Sequence, residues 1–224
     1  MAERLIQVRH PLFARMYVHI SRSTERRGAA EHRQQLLAGL AGRVVEVGAG
    51  NGMNFQHYPA TVSEVLAVEP EPYLRHIAET AALRAPVPVR VVDGIAEHLP
   101  AADGAFDAVV MSLVLCSVAD QQQVLAEAIR VLRPGGQLRF YEHVVARKPG
   151  MARMQRLLDA IFWPRVAGGC HLARDTARAI ESAGLEMERC EHIDFKASPL
   201  FPAVPHILGS ARRPGWEHAA ARVE

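Results

Sequence analysis

The sequence predicts an α/β fold, a Rossmann-like parallel sheet with helices on both faces. Strand-like and helix-like segments alternate along the chain, the pattern of repeated βαβ units. A β-branched run, Val44-Val45-Glu46-Val47, leads straight into Gly48, Gly50 and Gly52. A second apolar run, Val65-Leu66-Ala67-Val68, ends in Glu69. That acid lies about 20 residues beyond the glycines, where the tip of the next parallel strand can reach a ribose. Glycine takes positive φ without cost and lets a ligand approach main-chain atoms that a Cβ would block. The pair of features indicates a cofactor that carries a nucleoside; the competing reading of the glycines is a turn that packs strand on helix.

In chain order, strands are expected at 43–47, 64–69, 87–92, 106–111, 136–143, 186–193 and 205–212. Helices are expected at 24–40, 51–57, 71–84, 120–132, 151–161 and 172–183. The helix at 120–132 starts at Asp120, a good N-cap, and stops at Arg133-Pro134-Gly135-Gly136, where proline and glycine forbid continuation. Residues 1–42 form an N-terminal helical cap, 43–212 the main domain, and 213–224 a loose polar tail. The leading segment carries Arg9, His10, Phe13, Tyr17 and His19 among apolar positions. It either folds over the ligand crevice as a lid or covers a sheet edge.

Composition bounds the function. The 224 residues suffice for one α/β core and are few for two domains. A formal net charge of +2 is too small to suggest nucleic acid or an anionic membrane as partner. Cys116, Cys170 and Cys190 are odd in number and widely spaced, which suits neither a disulfide scaffold nor a C-x-x-C metal site. The chain opens without the apolar run of a signal peptide, and its longest near-apolar stretch, 108–119, is too short to span a bilayer. A soluble cytoplasmic protein without stable membrane insertion is expected. The oligomeric state is left open.

The glycine spacing is G-x-G-x-G, whereas a dinucleotide site has G-x-G-x-x-G opening a helix that holds a pyrophosphate. Glu46 at the strand tip would repel a pyrophosphate and welcome a cation. Together with Phe106-Asp107-Ala108-Val109-Val110 and Arg130-Val131-Leu132-Arg133-Pro134-Gly135-Gly136, these segments resemble the class I S-adenosylmethionine-dependent methyltransferases. The likeness covers about 43–212 and implies a seven-stranded sheet whose last strand is antiparallel. It also implies S-adenosylmethionine as methyl donor, a molecule with an ammonium and a sulfonium but no phosphate.

By that resemblance Gly48, Ala49, Gly50, Asn51 and Gly52 wrap the methionyl part, and Glu69, beside Pro70, accepts from the ribose hydroxyls. Ser112 and Leu113 join the cofactor set, and Gly94–Pro100 contacts adenine. Many relatives carry an acid where Ile95 stands, so packing and main-chain groups near Ala96 hold the base here; Asp93 and Glu97 are the substitutes on offer. A narrower likeness, to thiol S-methyltransferases that begin with a membrane-anchoring helix, rests on several segments. They are Asn51-Gly52-x-Asn54-Phe55-x-x-Tyr58-Pro59, Leu113–Val118, Glu142-His143-Val144, Gly169–Arg174 and Pro205–Gly209. No such anchor is expected of this chain, and a small-molecule thiol, from a natural product or a xenobiotic, is the implied acceptor.

Methyl transfer is an in-line displacement in which alignment supplies much of the rate. A thiol with pKa about 8.5 is already a few per cent thiolate at neutral pH, so a modest base or cation suffices. His143, with Glu142, ends the fifth strand on the ligand side and is the expected base or orienter. The competing reading packs His143 under a helix, bonded to Glu142. Tyr17, Cys116, Trp163, Cys170, His171 and Arg174 are the expected acceptor-side residues, with Phe162 and Phe201 as further apolar lining. No metal is expected, because Cys170 and His171 are adjacent and lack an evident partner pair. The alternatives are O-, N- or C-methylation of a small metabolite or quinone, a non-catalytic donor-binding regulator, and a nicotinamide oxidoreductase.

Overall fold

The computed structural model describes residues 11–196 and 203–215. Arg9, His10, Phe201 and the tail beyond residue 215 therefore lie outside the described residues. Helix α1 (Pro11–Thr24) and helix α2 (Ala30–Leu37) lead into strand β1 (Gly42–Val47). Then follow β2 (Val62–Val68), α3 (Pro72–Ala82), β3 (Val89–Val92), β4 (Phe106–Ser112), α4 (Gln121–Val131) and β5 (Leu132–His143). The chain closes with α5 (Pro149–Ile161), α6 (Trp163–Val166), α7 (Thr176–Ser182), β6 (Glu186–Phe195) and β7 (Val204–Arg212).

The strands form one seven-stranded sheet in the order β3-β2-β1-β4-β5-β7-β6. β1 to β5 run parallel, and β7 is antiparallel to both β5 and β6. The strand order reverses between β1 and β4, so the crevice for a ligand opens at the carboxyl ends of those two strands. Alternation along the strands divides the core. Val45, Val47, Leu66, Val109 and Met111 pack with α4 and α7, while Val44, Val65, Ala67, Ala108 and Val110 pack with Leu36 and Leu37 of α2.

Four expected elements differ, each for a backbone reason. The expected helix 24–40 is broken at Gly28, whose φ of 110° no continuous helix allows, and α1 occupies the segment before it. The expected helix 51–57 is a glycine turn ending in one short turn at Phe55–His57, because Gly52 sits at φ 76°. β3 begins only at Val89, past Pro86 and Pro88, which have no N–H to give a ladder. α7 begins at Thr176, where Asp175 accepts from the Arg178 amide and caps it.

The Arg133–Gly136 turn ends α4 and yet belongs to β5. Arg213, expected in the loose tail, is tied down there: its amide donates to Gly136 O and its carbonyl accepts from Gly135 N. Among the described residues no helix is long and apolar enough to cross a membrane.

Candidate active site

β1 delivers the chain to Gly48, Gly50 and Gly52 at φ 65°, 58° and 76°. A Cβ on Gly48 would lie 2.6 Å from Val114 Cγ2, and one on Gly52 2.8 Å from the Phe55 ring. The glycines are thus required by packing as well as by conformation. Below the loop lies a buried polar chain that single-residue reasoning does not find. Arg33 bonds Glu25 at 3.0 Å and Asn54 Oδ1 at 2.8 Å; Asn54 Nδ2 donates to Glu46 Oε1 at 2.9 Å. Tyr58 donates to Glu46 Oε2 at 2.7 Å.

Each oxygen of Glu46 thus accepts one bond within the protein, and the residue is only 2% exposed. Through Asn54 and Tyr58 it is a strut under the loop. Burial raises its carboxyl to about 7 in spite of the bonds from Tyr58 and Asn54. The signal for this network was the Asn54 and Tyr58 spacing, which was legible only through resemblance.

Glu69, at the tip of β2, accepts from Gly50 N at 2.7 Å and from Glu71 N at 2.9 Å. One carboxylate so pins the glycine loop to the neighbouring strand and keeps lone pairs free for other donors. Burial lifts it to about 7. Asp93, considered as an adenine contact, is paired with Arg75 at 3.0 Å, and Pro70 O accepts from the same guanidinium at 3.1 Å. Ile95 is half-buried and bridges to His98, with Ala96 buried behind it. Among the described residues three buried side-chain polar atoms make no hydrogen bond: Asn51 Oδ1 on the glycine loop, Ser112 Oγ at the end of β4 and the indole nitrogen of Trp163.

After Ser112 the chain turns through Leu113 at φ 61°, a conformation a branched side chain adopts only under constraint. The constraint is Glu142. Its Oε1 accepts from Val114 N at 2.9 Å and Leu115 N at 3.0 Å, and its Oε2 from Cys116 N at 3.1 Å. Fully buried and committed to three amides, Glu142 is a backbone clamp. The competing reading, His143 bonded to Glu142, is not what the structure shows: the two adjacent strand residues point to opposite faces and take different partners.

His143 instead places Nδ1 3.2 Å from Cys170 Sγ. Cys116, His143 and Cys170 bring their ligand atoms within 4.8 Å of one another. A hydrogen bond from the Cys116 thiol lowers the Cys170 thiol, helped by His143 and Trp163 against burial, and Cys116 is raised in return. His171, expected beside Cys170, turns away to Asp159 at 3.9 Å, while its amide donates to Cys116 O at 2.7 Å. Arg174 donates to Leu115 O at 2.6 Å, and its half-buried charge acts on both sulfurs. Phe162 is 42% exposed and lines nothing enclosed, whereas Trp163 is half-buried beside Cys170. Behind His143, His206 stacks on Tyr141 and lies 4.3 Å from the His143 ring.

α1 crosses both halves. Ser21 Oγ accepts from Asn51 Nδ2 at 3.0 Å, and the Tyr17 ring closes over Gly50, 3.2 Å from where a Cβ would stand. Phe13 seals against Gly168 in the loop that carries Cys170.

The family profile "Methyltransferase domain" matches residues 45–140, which hold the glycine loop, Glu69 and the clamped turn. Thiol S-methyltransferase TMT1B of Mus musculus is 38% identical over 185 residues, covering 78% of this chain and 73% of its own. The chain belongs to the class I S-adenosylmethionine-dependent methyltransferases. Thiol S-methyltransferase TMT1A of Homo sapiens is similarly close to this methyltransferase, 37% identical over 79% of this chain and 74% of its own. A SAM-dependent methyltransferase from Thermotoga maritima shares the methyltransferase's fold with a TM-score of 0.65, at 24% identity, over 90% of this chain and 96% of that one.

Proposed function

We propose that this methyltransferase moves a methyl group from S-adenosylmethionine to the thiol of a small molecule. The observation that carries the reading is the acceptor side itself, where the Arg174 guanidinium stands beside two cysteine sulfurs and His143 Nδ1 approaches one of them to 3.2 Å. Such surroundings favour a thiolate over its thiol. They offer a phenol or an alcohol no strong base. The names of the two thiol S-methyltransferases above support the same acceptor class.

Donor-side geometry fits the methyl donor. Asn51 Oδ1 and Ser112 Oγ, buried without partners, suit a ligand with an ammonium group to give. The free lone pairs of Glu69 suit a pair of ribose hydroxyls. Bound there, S-adenosylmethionine supplies a methyl group already activated by its sulfonium. The glycine loop and Glu69 hold one partner, while Arg174 offsets the negative charge of the acceptor sulfur. Tyr17 and Phe13 keep water from both, and the displacement is direct and in line.

The test is a panel of thiols, phenols, amines and quinols incubated with the methyl donor and analysed by mass. Methylated thiols are the expected product. A methylated amine, oxygen or carbon without any thioether would refute the acceptor class, and donor binding without turnover would refute transfer itself.

A further inference from the structure

Three metal-ligating side chains converge beside the crevice from three separate places in the fold. Cys116 follows β4, His143 ends β5, and Cys170 lies in the loop between α6 and α7. Their ligand atoms lie within 4.8 Å of one another, and His143 Nδ1 is 3.2 Å from Cys170 Sγ. Ordinary zinc bonds, about 2.3 Å to sulfur and 2.0–2.1 Å to nitrogen, set tetrahedral S···N and S···S separations of about 3.6 Å and 3.8 Å. The three atoms already lie close to those separations, the His143–Cys170 pair at 3.2 Å and all pairs within 4.8 Å.

Each ligand is anchored through its own backbone. The Cys116 amide is held by Glu142 and its carbonyl by the His171 amide; the Cys170 amide donates to Ala167 O at 3.1 Å. His143 is paired across the sheet with His206. The indole N–H of Trp163, buried without a hydrogen-bond partner, lies beside the Cys170 sulfur. Arg174 provides a further cation next to the two sulfurs.

We propose that Cys116, His143 and Cys170 form a site for one thiophilic divalent cation of the Zn2+ type, with a fourth position left for a sulfur ligand. Two thiolates and one neutral imidazole balance the charge of the ion, and Arg174 offsets the charge of a further thiolate. Three protein ligands with one open position is the arrangement of a catalytic zinc site, whereas a structural site closes with four.

The fourth ligand rests on the thiol reading; the three protein ligands do not. An acceptor thiol gives its proton to solvent as its sulfur joins the ion. A lone pair of that sulfur forms the new S–C bond as the bond from methyl to sulfonium breaks, and the released electron pair stays on the donor's sulfur.

The test titrates Co2+ alone into the full chain, kept reduced with a phosphine and first stripped with a chelator. One equivalent should give a sulfur-to-cobalt charge-transfer band and the intense visible bands of tetrahedral cobalt, both bleached by Zn2+. C116S and C170S should each lose most of the charge-transfer band and H143A the visible intensity, while C190S keeps both. Binding of S-adenosylhomocysteine by each variant shows that it has folded. Weak octahedral bands, or bands that survive in the C116S/C170S double variant, overturn the site. Cobalt bands without any methylated thiol uphold the site and remove the thiol reading. Thiol methylation at full rate by stripped protein without cobalt bands does the reverse.

Discussion

The Glu142 carboxylate accepts from the Cys116 amide at 3.1 Å, so the strand that ends in His143 also fixes the turn that presents Cys116. The same carboxylate holds Val114 and Leu115 and keeps Leu113 at its positive φ. Donor and acceptor halves of the crevice are thereby set by one buried side chain.

Glu142→Gln should therefore damage stability before chemistry. Glutamine's oxygen can keep the Val114 and Leu115 amides, but its NH2 is set against the Cys116 amide, which has no water to turn to. Leaving one buried donor unsatisfied costs about 1–3 kcal/mol. For a chain of this size that lowers Tm by roughly 5 °C. Thermal unfolding checks it; a Tm within a degree or two of the parent would show that the clamp is dispensable.

Glu69 gives a pH dependence with a definite sign. Burial holds its carboxyl near 7, above the ordinary 4.5, so the unliganded fold keeps a proton that the unfolded chain has lost. Between those values the free protein loses stability as pH rises, and above 7 the loss is complete. A donor held by charge-assisted bonds to the ionised carboxylate must expel that proton. Donor affinity should rise from pH 6 to 8, with proton release below pH 7 seen as a buffer-dependent heat in calorimetry. Glu69→Gln should bind weakly at every pH; a parent-like pH slope in that variant would clear Glu69 of the effect.

The contact of Phe13 with Gly168 predicts coupling between α1 and the loop of Cys170. A Cβ at position 168 would come within 2.4 Å of the Phe13 ring. Gly168→Ala should lift α1, expose it to protease and raise KM for the acceptor. Phe13→Ala in the same chain should restore part of that loss, though not the cost of an alanine at φ 61°. Additive effects in the double-mutant cycle would show that α1 and the loop act independently.

The fold was legible because its signals are local and repeated: Val-rich runs, a capped α4 and a glycine turn at the tip of β1. The approach of Gly50 to Glu69 was legible for a related reason, since one βαβ crossover fixes the separation of adjacent strand tips. The grouping of Cys116, His143 and Cys170 was not. Cys116 and Cys170 lie on loops whose lengths carry no pairing information, and the sequence sets Cys170 only beside its neighbour His171, never beside His143 at the end of β5. The Glu142 clamp was hidden too: strand alternation lets only one of Glu142 and His143 aim at the crevice, and it does not say which amides the other holds. The break in the first expected helix turned on Gly28 alone, a residue many helices tolerate.

Tyr58→Phe offers the sharpest test of the strut beneath the glycine loop. The hydroxyl donates to Glu46 Oε2 at 2.7 Å, and burial already holds that carboxyl near 7. Tyr58 itself stays protonated, since burial and Glu46 push it well above its ordinary value. Removing the hydroxyl takes a bond from the ionised form of Glu46 and raises its pKa further. At pH 5.5, where Glu46 is protonated, the variant should lose about 1 kcal/mol, the worth of a neutral hydrogen bond. At pH 8.5 the fold must bury a carboxylate with one donor fewer, and the loss should grow to about 2–3 kcal/mol. Urea unfolding of both proteins at the two pH values measures the difference. A penalty that is the same at both, or larger in acid, would mean that Glu46 is not the group this hydroxyl serves.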